Sequence, residues 1–128
     1  MNIIAKIHKD IYRCVTADII TDDVILTNER LQHIKQRHPN DYELYLEYIK
    51  STVEDPDYII EANKPNSAVA LKDIIIENNI HLKVIVRLVT SNDNPEYKNS
   101  VITFQTIRDK EWKRLLKNKT ILYNKNEP

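Results

Sequence analysis

Two of the four histidines fall in one short stretch, Leu31-Gln32-His33-Ile34-Lys35-Gln36-Arg37-His38-Pro39. His33 and Arg37 stand four residues apart, so on a helix they share a face. His38 and Pro39 sit where such a helix must stop, because proline disfavours helical backbone before it and cannot continue the ladder. Side chains at that point face an opening rather than a packed stripe. Imidazole titrates near neutrality, which suits a general acid or base. The guanidinium beside it offers rigid paired donors that match phosphate oxygens. The same residue types also serve a helix C-terminus, whose free carbonyls attract His, Lys and Arg. A zinc-protease site is rejected, since the spacing is not His-Glu-x-x-His and no carboxylate lies between the two histidines.

Three further polar residues stand in apolar surroundings. Arg87 interrupts Val84-Ile85-Val86-Arg87-Leu88-Val89. A charge in the middle of so apolar a strand faces solvent, pairs with an acid, or binds an anion. Lys72, within Leu71-Lys72-Asp73, poses the same question more weakly. Thr103 can offer a hydroxyl to a phosphate, although threonine is also an ordinary strand former.

The elements that must position these groups are legible from hydrophobic period. In the first fifteen residues Ile3, Ile4, Ile7 and Ile11 sit at helical spacing, while Tyr12 to Thr16 reads as a strand. The expectation is a short helix or arm, then that strand. Val24-Ile25-Leu26 is a short apolar strand or a helix entry. Thr27 is a cap for the next helix, with Glu29 in its favourable first turn. Asn40 and Glu43 have the spacing of a capping box. Tyr42, Leu46, Ile49 and Val53 then form one helical face, ended by Asp55-Pro56-Asp57.

From there the period shifts to two. Strands are expected at 58–61, around 69–72, at 82–90 and at 100–106. The 82–90 and 100–106 strands should pair antiparallel, with Val84, Val86, Ile102 and Phe104 facing the helix that carries Ile49 and Val53. A short helix anchored by Trp112 and Leu115 or Leu116 follows, and 120–123 can add a last strand. Helices first and strands afterwards give an α+β fold. N-terminal helices pack on one face of a mostly antiparallel sheet whose other face is open.

Composition narrows the function classes. The 128 residues suit one domain, 1–128, with a core at roughly 12–123 and a flexible arm and tail at its ends. Glycine is absent, which excludes dinucleotide and P-loop phosphate cradles and leaves turns to Asn, Asp, Ser and Pro. One cysteine, Cys14, rules out an internal disulfide or a Cys-based zinc site and fits a reducing, cytoplasmic setting. No apolar run is long enough to span a bilayer, so no membrane partner is expected.

Net charge is zero, but it is unevenly spread. Residues 40–62 hold seven acids against Lys50, and 105–128 hold seven bases against three acids. A neutral chain can still focus field in a local positive cleft. Tyr42, Tyr45 and Tyr48 lie along one helix and read as packing or a partner surface. Base-stacking aromatics on the sheet are few, Tyr97 and Phe104.

The run Val24-Ile25-Leu26-Thr27-x-Glu29-Arg30-x-x-His33-Ile34-x-x-Arg37-His38-Pro39 resembles phage-associated nuclease domains of the Barnase–EndoU–Colicin E5/D–RelE group. Asp55-Pro56-Asp57-Tyr58-Ile59, Lys64-Pro65-Asn66, the Arg87 strand, Ser100-Val101-Ile102-Thr103 and the Trp112 helix extend the likeness over roughly 24–123. The resemblance implies a Barnase/RelE-like helix-plus-sheet fold and metal-independent RNA cleavage in phages and mobile elements. A strand glutamate and a histidine near the C-terminal strand have no match here.

By matching positions, the implied site residues are His33, Arg37 and His38 from the helix with Lys72, Arg87 and Thr103 from the sheet. The expectation is that Arg87 converges with Arg37, Lys72 and at least one of His33 and His38 around a phosphate-sized opening. RNA is the expected partner, with a cognate inhibitor or a phage protein as a further one, and no cofactor is expected. The competing expectations are a non-catalytic nucleic-acid- or protein-binding module and a phage structural or accessory protein.

Overall fold

A computed structural model describes residues 2–76 and 78–127. In chain order the elements are β1 (Asn2–Lys6), α1 (Lys9–Tyr12), β2 (Asp23–Leu26), α2 (Asn28–Arg37), α3 (Tyr42–Glu54), β3 (Tyr58–Ile60), β4 (Ser67–Ile74), β5 (Ile80–Arg87), β6 (Asn99–Ile107), α4 (Asp109–Asn118) and β7 (Ile121–Asn124). The strands make one seven-stranded sheet in the order β1-β2-β6-β5-β4-β3-β7. Every pairing is antiparallel except β2 with β6. The architecture is α+β, with the N-terminal helices packed on a mixed sheet.

The main core lies between this sheet and the N-terminal helices. Ile49 and Val53 of α3 meet Leu82, Val84 and Val86 of β5, together with Tyr12 and Ile34. The burial of β5 alternates residue by residue, as its sequence does. The Tyr12 hydroxyl is satisfied inside this core by donating to the Val53 carbonyl at 2.7 Å. Cys14 packs at the edge of the same cluster, and burial pushes its thiol pKa up, which suits a core residue and not a nucleophile.

Several expectations need correction. The first residues form β1, and Lys9–Tyr12 is helical, so neither the N-terminal helix or arm nor the Tyr12–Thr16 strand is present. The helical spacing of the isoleucines misled because Ile4, Ile7 and Ile11 reach one core from a strand, a loop and a helix in turn. α3 starts one residue later than the Asn40 box implied; Asp41 is its N-cap, with no side-chain cap bond. Thr27 does cap α2, its Oγ1 accepting from the Arg30 amide at 3.3 Å.

The second sheet face is not open along its length. There α4 covers Ile60, Val69 and Leu71 with Leu115, and Trp112 and Leu116 pack against that cluster. The chain's last described residues are also tied in: β7 pairs with β3, and the Lys125 amide donates to the Asp57 carbonyl at 2.9 Å.

β5 and β6 pair antiparallel as expected, but the register shifts between Ile85 and Val86. Val86 faces Val101 and Ile85 faces Thr103, leaving Ile102 as the extra residue of a bulge. Val101 and Phe104 therefore belong to the helix side, whereas Ile102 is turned out and exposed. Phe104 itself is only partly buried. Without glycine, the turn into β4 uses Asn66 at φ 58, a left-handed conformation that asparagine tolerates.

Candidate functional site

β2 meets β6 only at Asn99 and Ser100. That junction is held by Asn99, fully buried, whose Oδ1 accepts from the Val89 amide and whose Nδ2 donates to the Thr21 carbonyl, both at 2.8 Å. Beyond Ser100 the outer edge of β6 is released from the sheet, and α2 lies beside it. The space between them is a cleft of about 180 Å³ lined by Leu26, Arg30, His33, Ile34, Arg37, Val101, Thr103, Phe104 and Gln105.

The local sequence explains the helical wall. Ile34 is buried and anchors α2 to the core. Arg30, His33 and Arg37 lie three and four residues apart on the neighbouring stripe and are solvent-exposed. The opposite wall is the bulged segment of β6, which brings Thr103 and Gln105 to the same opening. Two guanidiniums, one imidazole, one hydroxyl and one amide thus share a small cleft, and no carboxylate lines it. None of the described ion pairs engages Arg30, His33 or Arg37. Such an opening favours an anion of phosphate size.

His33, Arg37 and Thr103 are therefore brought together. The other three sequence candidates are not. His38 caps the end of α2, where its ring stacks on Tyr45 at 3.9 Å and its Nδ1 lies 3.7 Å from Asp41. Lys72 donates to the Asp55 carbonyl at 2.7 Å and to its carboxylate at 3.3 Å, with Asp57 at 3.9 Å. Arg87 is on the far face of the sheet, in a hollow beside Ile85 and Ile102. There its Nη2 lies 3.1 Å from Asp93, and it also donates to the Leu88 carbonyl. The expected 82–90 strand ends early, so Arg87 is the last residue of β5 and not mid-strand, and of its three explanations the acid partner is the one observed. Asp93 is fixed in turn by the Thr90 amide, and that bond first, then Arg87, holds its carboxyl below the usual range. The expected convergence of Arg87 and Lys72 with the histidines is thus not present.

Two cleft residues were not singled out in sequence. Arg30 carries the signal of helical spacing, three before His33 and seven before Arg37. Gln105 is two residues beyond Thr103 on the same strand.

A third polar group lies elsewhere. His81 stands between Asp73 (Nδ1, 3.3 Å) and Asp109 (Nε2, 3.2 Å) and stacks on Trp112 at 4.5 Å. The Asp73 contact is close but not aligned as a hydrogen bond. Asp109 is held below the usual carboxylate range by Lys113 first and His81 second. The group ties α4 to the sheet. Among the described residues no cluster of three or more His, Cys, Asp or Glu has the arrangement to hold a metal ion. No described helix is long and apolar enough to cross a membrane.

Comparison with known proteins gives one family. The model described as phage-Barnase-EndoU-ColicinE5/D-RelE like nuclease2 matches residues 3–124. No curated protein and no solved structure gives a match.

Proposed function

The chain belongs to the phage-Barnase-EndoU-ColicinE5/D-RelE like nuclease2 family, and from that premise we propose that it is a metal-independent endoribonuclease of phage or mobile-element origin. The observation that carries this reading is the α2–β6 cleft, where Arg30, His33, Arg37 and Thr103 share one opening without a carboxylate. In the proposed reaction the RNA 2′-oxygen attacks the adjacent phosphorus and the bond to the 5′-oxygen breaks. A 2′,3′-cyclic phosphate and a free 5′-hydroxyl result. His33 takes the proton from the 2′-hydroxyl, and the departing 5′-oxygen takes one from solvent.

Arg30 and Arg37 hold the non-bridging oxygens and offset the charge that grows in the pentacoordinate transition state. Thr103 supplies a further donor. RNA carries its own nucleophile, so the reaction calls for positioning, one proton acceptor and cations, which are the groups this cleft supplies. His38, Lys72 and Arg87 take no part in the step proposed here, since each is engaged elsewhere.

The test is incubation of mixed single-stranded RNA with purified protein in EDTA, followed by mass spectrometry of the product ends. Cyclic-phosphate termini are expected, with no cutting of an oligonucleotide that is 2′-deoxy throughout. Cleavage of the all-deoxy strand, or 5′-phosphate products from RNA, contradicts the mechanism. RNA binding without any cleavage would favour the non-catalytic module.

A further inference from the structure

The cleft does not end at α2. Gln105 lines it and also lines a second hollow on the other side of β6, with Lys83, Arg108 and Lys110. Lys83 in turn borders a third hollow, of about 530 Å³, beneath α4. The three openings are therefore linked in series, the first two through Gln105 and the last two through Lys83, into one surface path. It passes from the α2 cleft over the released edge of β6 and onto the far face of the sheet.

The charge along this surface is mostly positive: against its cations stand two carboxylates, Glu111 and Glu61, the latter at the last hollow and accepting from the Thr120 amide at 3.1 Å. Lys83, Arg108 and Lys110 appear in none of the described ion pairs. Glu111 borders the second hollow but is held by Arg114, whose Nε donates to it at 2.6 Å. The last hollow changes character: its floor is Ile85, Ile102 and Leu115, with Lys64 and Lys119 at the rim. Ile102 is available there because the β6 bulge turns it outward, leaving it 41% exposed.

We propose that this surface is an extended binding track for single-stranded RNA. The scissile phosphate lies in the α2 cleft, adjoining phosphates lie along Arg108, Lys110 and Lys83, and an unstacked base sits on the apolar floor under α4. A row of unpaired cations leading to an apolar seat matches the alternating phosphate and base of a single strand. Duplex RNA has no free base for that seat. The proposal rests on the nuclease reading for where the strand starts, but binding along the track can be measured without chemistry.

The experiment uses the full chain with Arg108→Ala/Lys110→Ala. Both residues are exposed, and the α4 N-cap position of Arg108 makes no side-chain cap bond. Binding is read by fluorescence anisotropy with 2′-O-methyl oligonucleotides, which cannot react, as a dinucleotide and as a decanucleotide. Cleavage is read separately with unmodified RNA of both lengths. The track predicts that the decanucleotide binds much more tightly than the dinucleotide and more tightly than its duplex. The double variant should weaken decanucleotide binding roughly ten-fold and flatten its log–log salt dependence by about 1.4, two single-strand contacts' worth. Dinucleotide cleavage and Tm should not change.

Length-independent binding, equal affinity for duplex, or an unaffected decanucleotide overturns the track, even if dinucleotide cleavage proves the cleft active. Length-dependent binding that the variant weakens, with no cleavage by any form, supports the track and refutes the nuclease reading instead. Equal binding of poly-glutamate would also overturn it, pointing to a protein partner for the same cations.

Discussion

The α2–β6 cleft and the seam where α3, β4, β5 and α4 meet use similar side chains in opposite ways. In the cleft, Arg30, His33 and Arg37 converge with no carboxylate among the lining residues. In the seam, Lys72 and Lys125 close on Asp55, and His81 lies between Asp73 and Asp109. Arg87, on the adjoining strand end, is matched by Asp93. A cation held by a carboxylate and a backbone carbonyl has its donors spent on the fold. A cation facing an opening without a counter-charge keeps them for a ligand. Residue type alone does not separate these roles; the neighbour does.

The largest effect that distinguishes the two regions should come from the cleft. Arg37→Ala is expected to lower the single-turnover cleavage rate by roughly two to three orders of magnitude, the usual loss for one transition-state donor. Its melting curve should superimpose on the wild type, since Arg37 is exposed and makes no described ion pair. An unchanged rate would remove Arg37 from the site.

Next comes the wall shared by cleft and core. Phe104 is partly buried, with its ring 6.2 Å from that of Tyr45. Phe104→Ala should cost about 2 kcal/mol in urea melts, below the loss for a fully buried phenylalanine. A cost above 4 kcal/mol would mean that the bulged segment is packed more tightly than described.

In the matched regions the expected effects are on stability. Asp93→Ala removes the partner of Arg87 and the acceptor of the Thr90 amide, and should lower Tm by several degrees with cleavage retained. Arg87→Ala/Asp93→Ala should be less than additive, because both single changes break one contact. Full additivity would show that the pair is not coupled.

The smallest effect is the response to acid. Asp55 is held below the usual carboxylate range, by the Lys125 ammonium first and with Lys72 adding to it; Asp23 is held down first by Lys98. A carboxylate with a lower folded pKa gives stability that is present above its unfolded value and lost as pH falls through the folded one. Tm should therefore hold from neutrality to about pH 5 and fall below about pH 4. Asp55→Asn should shallow that acid slope, and an unchanged slope would show that the seam does not carry it.

How far the sequence reached follows from the same contrast. The alternation of β5, the α3 face and the Thr27 cap are local patterns, and each was legible. His33, Arg37 and Thr103, singled out by spacing, strand position and the family resemblance, line one opening. Arg87 looked free because its partner, Asp93, lies beyond the strand in a loop that must fold before the two can meet. Lys72 was ambiguous for a similar reason, since Asp55 is brought to it by the end of α3. The outward turn of Ile102 comes from a bulge, which a period-two reading passes over. The edge strand β1 was misread because its isoleucines match a helix as well as a strand.

The most direct test is single-turnover cleavage of one RNA oligonucleotide in EDTA by His33→Ala and Arg87→Ala, each at a temperature where it is fully folded. Loss of the proton acceptor should slow His33→Ala by roughly two to four orders of magnitude. Arg87→Ala should cut the same oligonucleotide within a few-fold of wild type while melting earlier. The opposite pattern, with His33→Ala active and Arg87→Ala folded but inert, would place the chemistry on the far face of the sheet and contradict the assignment of the α2–β6 cleft.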